Sequence, residues 1–276
     1  MKNLSLFLVF FIIFSLCGTP LRIVSLSPAV TETIIYSGGV PFLCGRSSCC
    51  DKLTHLPVAG DLGRPFVEPV LNLQPGLVIS DARYPGNEWQ TLQKLNIKTL
   101  FFKGENLDDL TGNLLLLSKL PGLEKSAAAA AEKIQQKLTD LRKTPPEKRL
   151  PALIVFGINP VISCGEKSFI TEAMALAGLN NICNGYAAGK INGYFVLNIE
   201  FICKTDPEVI LWCGMSKQDR KNAEKFFFEK KEFQKITAVK NRRIIFLDPA
   251  KFCRLTPQLI DEIINLRLRL PGKFQQ

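Results

Sequence analysis

The chain has a single histidine, His55, among its 276 residues. A metal site built from several imidazoles is therefore excluded, and a Ser-His-Asp triad would have to be built on that one side chain, which lies in a loop-like stretch. No G-x-S-x-G elbow is present. The nine cysteines never fall at C-x-x-C spacing, which weakens both a zinc knuckle and a thioredoxin-type site. The stretch 58–67 (VAGDLGRPFV) reads as a glycine-rich loop, but it lacks the glycine spacing and the lysine of a phosphate loop. Acidic residues are in short supply: 25 Asp and Glu stand against 35 Lys and Arg, for a net charge of +10. The basic residues are scattered. Their densest tracts, 217–235 and 240–243, are interleaved with Glu, Asn or Phe, and read as solvated faces rather than as a nucleic-acid groove. No catalytic constellation stands out, so the chain is expected not to be an enzyme, to need no cofactor and to bind no nucleic acid.

With 46% apolar residues the chain can build real cores, which excludes general disorder. Lys2 precedes an almost unbroken apolar run, Leu4 to Leu16. That run is short for a membrane span and of the length of a signal-peptide core. Cleavage after Cys17 would place Ser15 and Cys17 at the recognition positions, and lipid attachment to Cys17 is the alternative. Export makes disulfides chemically possible for the eight cysteines that remain, and the sequence assigns no pairing. Cys203 and Cys213 fall in segments that read as buried, where a thiol acts as a small hydrophobe.

The organising stretch is Gly122 to Lys143. Leu123, Ala127, Ala130, Ile134, Leu138 and Leu141 recur at steps of three and four, on one face of a helix without internal Gly or Pro. At ~1.5 Å per residue such a helix is about 33 Å long, roughly the width of a small domain. On either side, short strands alternate with helices, the pattern of an α/β lobe with a largely parallel sheet. The sequence thus divides into a signal peptide (1–17), an N-terminal α/β lobe (18–120), a connecting helix (121–146) and a C-terminal α/β lobe (147–276). The expected fold is two Rossmann-like α/β lobes joined by a single long rigid helix, with a ligand cleft between them.

The halves echo each other. VEPVLNLQPGLVIS (67–80) lies over IEFICKTDPEVILW (199–212), each with Glu second, Pro seven residues later, then a strand. RIVSLSP, where Ser27 caps a helix with Pro28 at its first position, is matched more loosely by LIVFGINP. A strand ending in Ser-Pro aims backbone N–H groups outward and can hold a polar group, which makes Pro28 a candidate rim residue. Further loops expected at the rim are 45–51, 60–66, 81–87, 157–166, 186–195 and 248–254.

From about Arg22 to Leu270 the chain resembles the periplasmic solute-binding proteins of the helical-backbone class, which serve uptake transporters for vitamin B12, haem and iron–siderophore complexes. RIVSLSPAVTE, the segment Glu68 to Ser80 and the ending LDP…RLTP carry the likeness, and FGINPVISCGEKSF is most similar to the B12-binding member. The resemblance implies a monomeric substrate-binding component that delivers a corrinoid to the permease dimer of an ABC importer; haem or a ferric siderophore is the alternative cargo. It places the permease-docking acids on Glu68 and Glu200, a ligand aromatic on Tyr194 and a late ligand arginine on Arg254. Three of its aromatic ligand positions fall on Cys49, Leu62 and Asp81, which are departures, since large flat ligands are usually held by aromatic faces. Arg83, together with Arg64 and Arg254, would instead suit the carboxylates of haem or an anionic siderophore.

Overall fold

The computed structural model describes residues 21–81, 86–166, 168–186, 193–214 and 217–270. The chain divides into two compact units: the described residues up to Phe102 with Lys119–Glu124, and Lys103–Ser118 with everything after Lys125. Both are α/β units with a largely parallel sheet.

In the first unit the strands are β1 (Ile23–Ser25), β2 (Leu43–Ser47), β3 (Val58–Asp61), β4 (Arg64–Pro65), β5 (Leu77–Ser80) and β6 (Lys98–Phe101), and their order across the sheet is β4-β3-β2-β1-β5-β6. All neighbours are parallel except β3 and β4. Val24, Leu26, Ala59, Val70, Val78, Trp89 and Leu92 form a core on this sheet, and Trp89 meets Phe101 edge-on with ring centroids 4.6 Å apart. Burying an aliphatic side chain of this kind contributes about 1.5–3 kcal/mol.

The second unit continues with β7 (Leu150–Val155), β8 (Gly157–Ile158), β9 (Val161–Cys164), β10 (Leu179–Asn181), β11 (Tyr194–Val196), β12 (Val209–Trp212) and β13 (Ile244–Phe246). A parallel sheet has the order β10-β7-β12-β13, and an antiparallel one the order β11-β9-β8. Alternation along its central strands explains why they read as unbroken apolar runs: Ala152, Ile154, Val209 and Leu211 enter one core, whereas Leu153, Val155, Ile210 and Trp212 enter another. The long helix runs from Glu124 to Lys143; its Ala127 is buried, and Ala130, Ala131, Ile134, Leu138 and Leu141 enter the first of those cores beside Leu107, Leu110 and Leu114. Arg142 ties the helices Asp108–Leu117 and Phe169–Ala177 to it through Asp108 (2.7 Å) and Glu172 (2.8 Å).

Several local expectations are corrected. The stretch 58–67 is not a loop but the hairpin β3–β4, turning on Leu62 and Gly63. Gly63 sits at φ +69°, where only glycine is at ease, and a Cβ on Gly60 would lie 2.3 Å from the Arg64 carbonyl oxygen. The stretch 157–165 likewise holds the hairpin β8–β9. Cys203 is only half-buried, because its thiol donates outward to the Glu232 carbonyl.

Candidate functional site

Every candidate of the first unit that lies among the described residues follows the C-terminal end of a strand. Pro28 comes after β1, Cys49 after β2, Leu62 after β3 and Asp81 after β5. The order β3-β2-β1-β5 makes these four strands neighbours, and parallel strands end at one edge, so four residues far apart in sequence share one side of the sheet, about 15 Å across. Arg83 lies outside the described residues, as does the whole segment 1–17 with Cys17.

The rim is tied down by local polar chemistry. Ser27 caps the helix Pro28–Tyr36 by accepting from the Val30 N–H at 3.2 Å, which seats Pro28 at its first position. Ser25 and Thr31 hydroxyls meet at 2.8 Å, and Thr31 reaches the Cys50 thiol at 3.2 Å. The neighbouring Cys49 is exposed, and the Ser48 hydroxyl donates to Asp61. The Leu62 turn is fixed from two sides: the Gly63 N–H donates to the Leu26 carbonyl at 2.9 Å, and the Trp89 indole N–H donates to the Gly63 carbonyl at 2.9 Å. Leu62 itself is exposed. Trp89 was not among the expected site residues. Its spacing from Leu92 marks it in sequence as a core residue of the helix Glu88–Lys94, and nothing local points to its bond with Gly63.

In the second unit Tyr194 opens β11, pairs in register with Cys164 and meets the Phe156 ring edge-on at 5.2 Å. Burial raises its hydroxyl pKa above the ordinary tyrosine value, and the neighbouring Cys164, Cys253 and Cys213 add to that. Tyr194 is thus a neutral, half-buried strand residue at neutral pH, not the loop residue its glycine-rich surroundings suggest. Arg254 follows the short helix Pro249–Phe252 and is half-buried, one residue beyond the Cys253 that Tyr194 approaches. Trp212 ends β12 in a buried position, and its indole N–H finds no partner among the described residues.

Glu68 and Glu200 occupy equivalent places. Each is exposed in the first turn of a seven-residue helix, Val67–Leu73 and Ile199–Thr205. Both helices end on a left-handed residue, Gln74 (φ 46°) and Asp206 (φ 43°), followed by proline and a buried strand. The repeat seen in the sequence is therefore a repeat of structure.

Nucleophile chemistry finds little here. His55 is exposed. The eight described cysteines are free thiols, and burial pushes Cys164 up to about 12 and Cys183 up to about 11, so neither is a thiolate at neutral pH. Among the described residues no group of His, Cys, Asp and Glu could hold a metal ion, and no helix is long and apolar enough to cross a membrane.

The first unit thus presents a row of fixed loops at the C-terminal ends of neighbouring parallel strands, a place where α/β proteins commonly hold ligands. Residues 23–250 match the family model of the periplasmic binding proteins, and the chain belongs to that family. Its members are non-enzymatic substrate-binding proteins that deliver ligands to the permease of an ABC transporter. The chain is 24% identical to the vitamin B12-binding protein of Vibrio parahaemolyticus over 96% of both chains. It is 26% identical to the high-affinity heme uptake system protein IsdE of Staphylococcus aureus, over 73% of this chain and 70% of that one. Among solved structures, the periplasmic vitamin B12 binding protein BtuF of Vibrio cholerae aligns with a TM-score of 0.76 at 23% identity, over 90% of this chain and 95% of that one.

Proposed function

We propose that the protein captures a cobalamin-like corrinoid and delivers it to the permease of an ABC importer. The observation that supports this reading is the likeness over 96% of both chains to a vitamin B12-binding protein. The candidate contacts on the first unit are Cys49, Leu62 and Asp81, with Pro28 buried behind them at the start of its helix, and those on the second unit are Tyr194 and Arg254. On the second unit Tyr194 supplies an aromatic body with a neutral hydroxyl. Glu68 and Glu200 act in docking to the permease and not in ligand capture, as rim charges favour registry over affinity. Residues 1–17 direct export to the periplasm.

The rival cargo, haem or an anionic siderophore, wants a cationic site. Of its three arginines, Arg64 is already engaged by Glu88 at 3.0 Å, which weakens the attraction it offers a carboxylate ligand. Titration of the full chain with cyanocobalamin and, separately, with haem decides between them, followed by absorbance and intrinsic fluorescence. The corrinoid should saturate at one equivalent with a Kd below about 1 μM. Haem saturation with no response to the corrinoid would replace the cargo, and silence to both would remove the reading.

A further inference from the structure

The segment Arg220–Arg243 carries nine Lys and Arg against three Glu, a net +6 in 24 residues of a chain whose total is +10. It folds as most of the helix Lys217–Glu229, the 3-10 turn Lys231–Phe233 and the helix Thr237–Lys240. Its inner side is apolar: Ala223, Phe227, Phe233, Ile236, Ala238 and Val239 are buried in the second unit's core. On its outer side Lys221, Lys225 and Phe228 recur at steps of four and three, and all are exposed. A partly exposed phenylalanine, with 36% of its surface open to water, therefore lies beside lysines.

Four of the nine cations are engaged within the protein, among them Lys240, whose charge acts on Asp206. Arg220 lies 4.1 Å over the Phe246 ring and 3.4 Å from Glu224, Lys230 lies 4.4 Å over the Phe226 ring, and Arg243 is 3.8 Å from Glu208. Lys221, Lys225, Lys231, Lys235 and Arg242 make no ion pair among the described residues. A rigid scaffold that holds like charges together costs self-repulsion, which an anionic surface relieves. The segment is also fixed to the helix that bears Glu200. The Cys203 thiol donates to the Glu232 carbonyl at 3.4 Å, and Asp206 accepts from the Thr237 N–H at 2.7 Å and hydroxyl at 2.8 Å.

We propose that Arg220–Arg243 is a docking face for an anionic phospholipid surface, which keeps the protein at the membrane that holds its importer. The importer rests on the function proposed above; the chemistry of the face does not. Lysines on flexible stems suit a diffuse layer of headgroup phosphates better than forked recognition of one partner, and Phe228 can enter the headgroup layer while its neighbours stay at the phosphates.

The test is co-sedimentation of the full chain with vesicles of phosphatidylcholine alone and with phosphatidylglycerol added. The apolar run Leu4–Leu16 would bind both kinds, so the excess on anionic vesicles is what is read. It should reach about tenfold at low salt and decline as salt rises. K221E/K225E/K231E/K235E should remove most of the excess, and Phe228→Ser should lower the part that resists salt, with circular dichroism unchanged in both. Equal binding to the two vesicle types overturns the proposal, as does an excess that survives the fourfold charge reversal. Loss of importer binding in that variant without any vesicle preference overturns it too, and assigns the face to a protein. Cyanocobalamin affinity, measured on the same samples, separates this outcome from failure of the ligand reading.

Discussion

The helices Val67–Leu73 and Ile199–Thr205 follow the same path in the two units, but their ends are secured by different chemistry. Each buries its fourth residue, Val70 or Ile202, completely, and each stops on a left-handed residue before a proline. Asn198 caps the second helix by accepting from the Glu200 N–H at 2.9 Å, whereas Phe66 offers the first no side-chain cap. Asp206 is tied to Thr237, while Gln74 donates only its own N–H back to the Leu71 carbonyl at 3.0 Å. Burial, the left-handed stop and the proline set the path, and capping is left to each copy. Glu68 and Glu200 are common to both copies although the caps are not. The helix dipole favours each acid by only about 0.3–1 kcal/mol, so their shared position asks for a further reason.

The largest effects should come from the buried anchors. Ile202→Ala should lower stability in urea by about 3 kcal/mol and Val70→Ala by about 2, since each leaves a cavity under its helix. If either change costs less than ~0.5 kcal/mol, burial is not what fixes that helix.

Next in size is the pair of acids. Glu68→Ala with Glu200→Ala should weaken binding to the reconstituted importer by about tenfold or more, roughly 1.4 kcal/mol, and leave ligand affinity within about twofold. Unchanged importer binding would return both residues to the status of first-turn helix acids. Lost ligand binding with intact folding would move them into the site.

The echo between these copies was legible because it rests on burial and on Pro and Glu at fixed spacing. The long helix was legible for the same reason: all six apolar positions read from its sequence, Leu123 to Leu141, are buried. The hairpins β3–β4 and β8–β9 were not. Their strands are two to four residues long and rich in Gly and Pro, which in sequence look like loop, and only pairing across the turn makes them strands. The site was legible in part. Pro28, Cys49, Leu62 and Asp81 are scattered over more than fifty positions, and strand order, not sequence, brings them to one edge. Trp89 was illegible because its hydrogen bond to Gly63 spans 26 residues.

The capping difference can be tested directly. Asn198→Ala should cost about 1 kcal/mol, because it orphans a first-turn N–H that nothing else satisfies. Phe66→Ala, at the equivalent place, removes no cap, so any loss there should track packing alone. Equal urea midpoints for Asn198→Ala and the parent chain would show that the cap contributes nothing.

The smallest effect is also the one with a pH signature. The Thr237 N–H and hydroxyl hold the Asp206 carboxyl below the ordinary carboxylate value. A group whose pKa is lower folded than unfolded stabilises the fold above its unfolded value, near pH 3.9, and gives this up as pH falls through the folded value. The contribution is therefore full between about pH 5 and 7 and fades below about pH 4. Asp206→Asn keeps a side chain that tolerates the left-handed conformation and an oxygen that can accept, but loses the charge. The carboxyl is exposed, so water screens it and the loss at pH 7 should be only about 0.5–1 kcal/mol. Toward pH 2.5 the variant and the parent should converge. Gln74→Glu is the comparison at the equivalent stop, where the helix end is held by the Gln74 N–H and by Arg22 donating to the Leu73 carbonyl, and no threonine is there to hold a carboxylate. A parent–variant gap at residue 206 that stays constant from pH 7 to pH 3 would mean that the charge contributes nothing, and that Thr237 is held as well by a neutral oxygen.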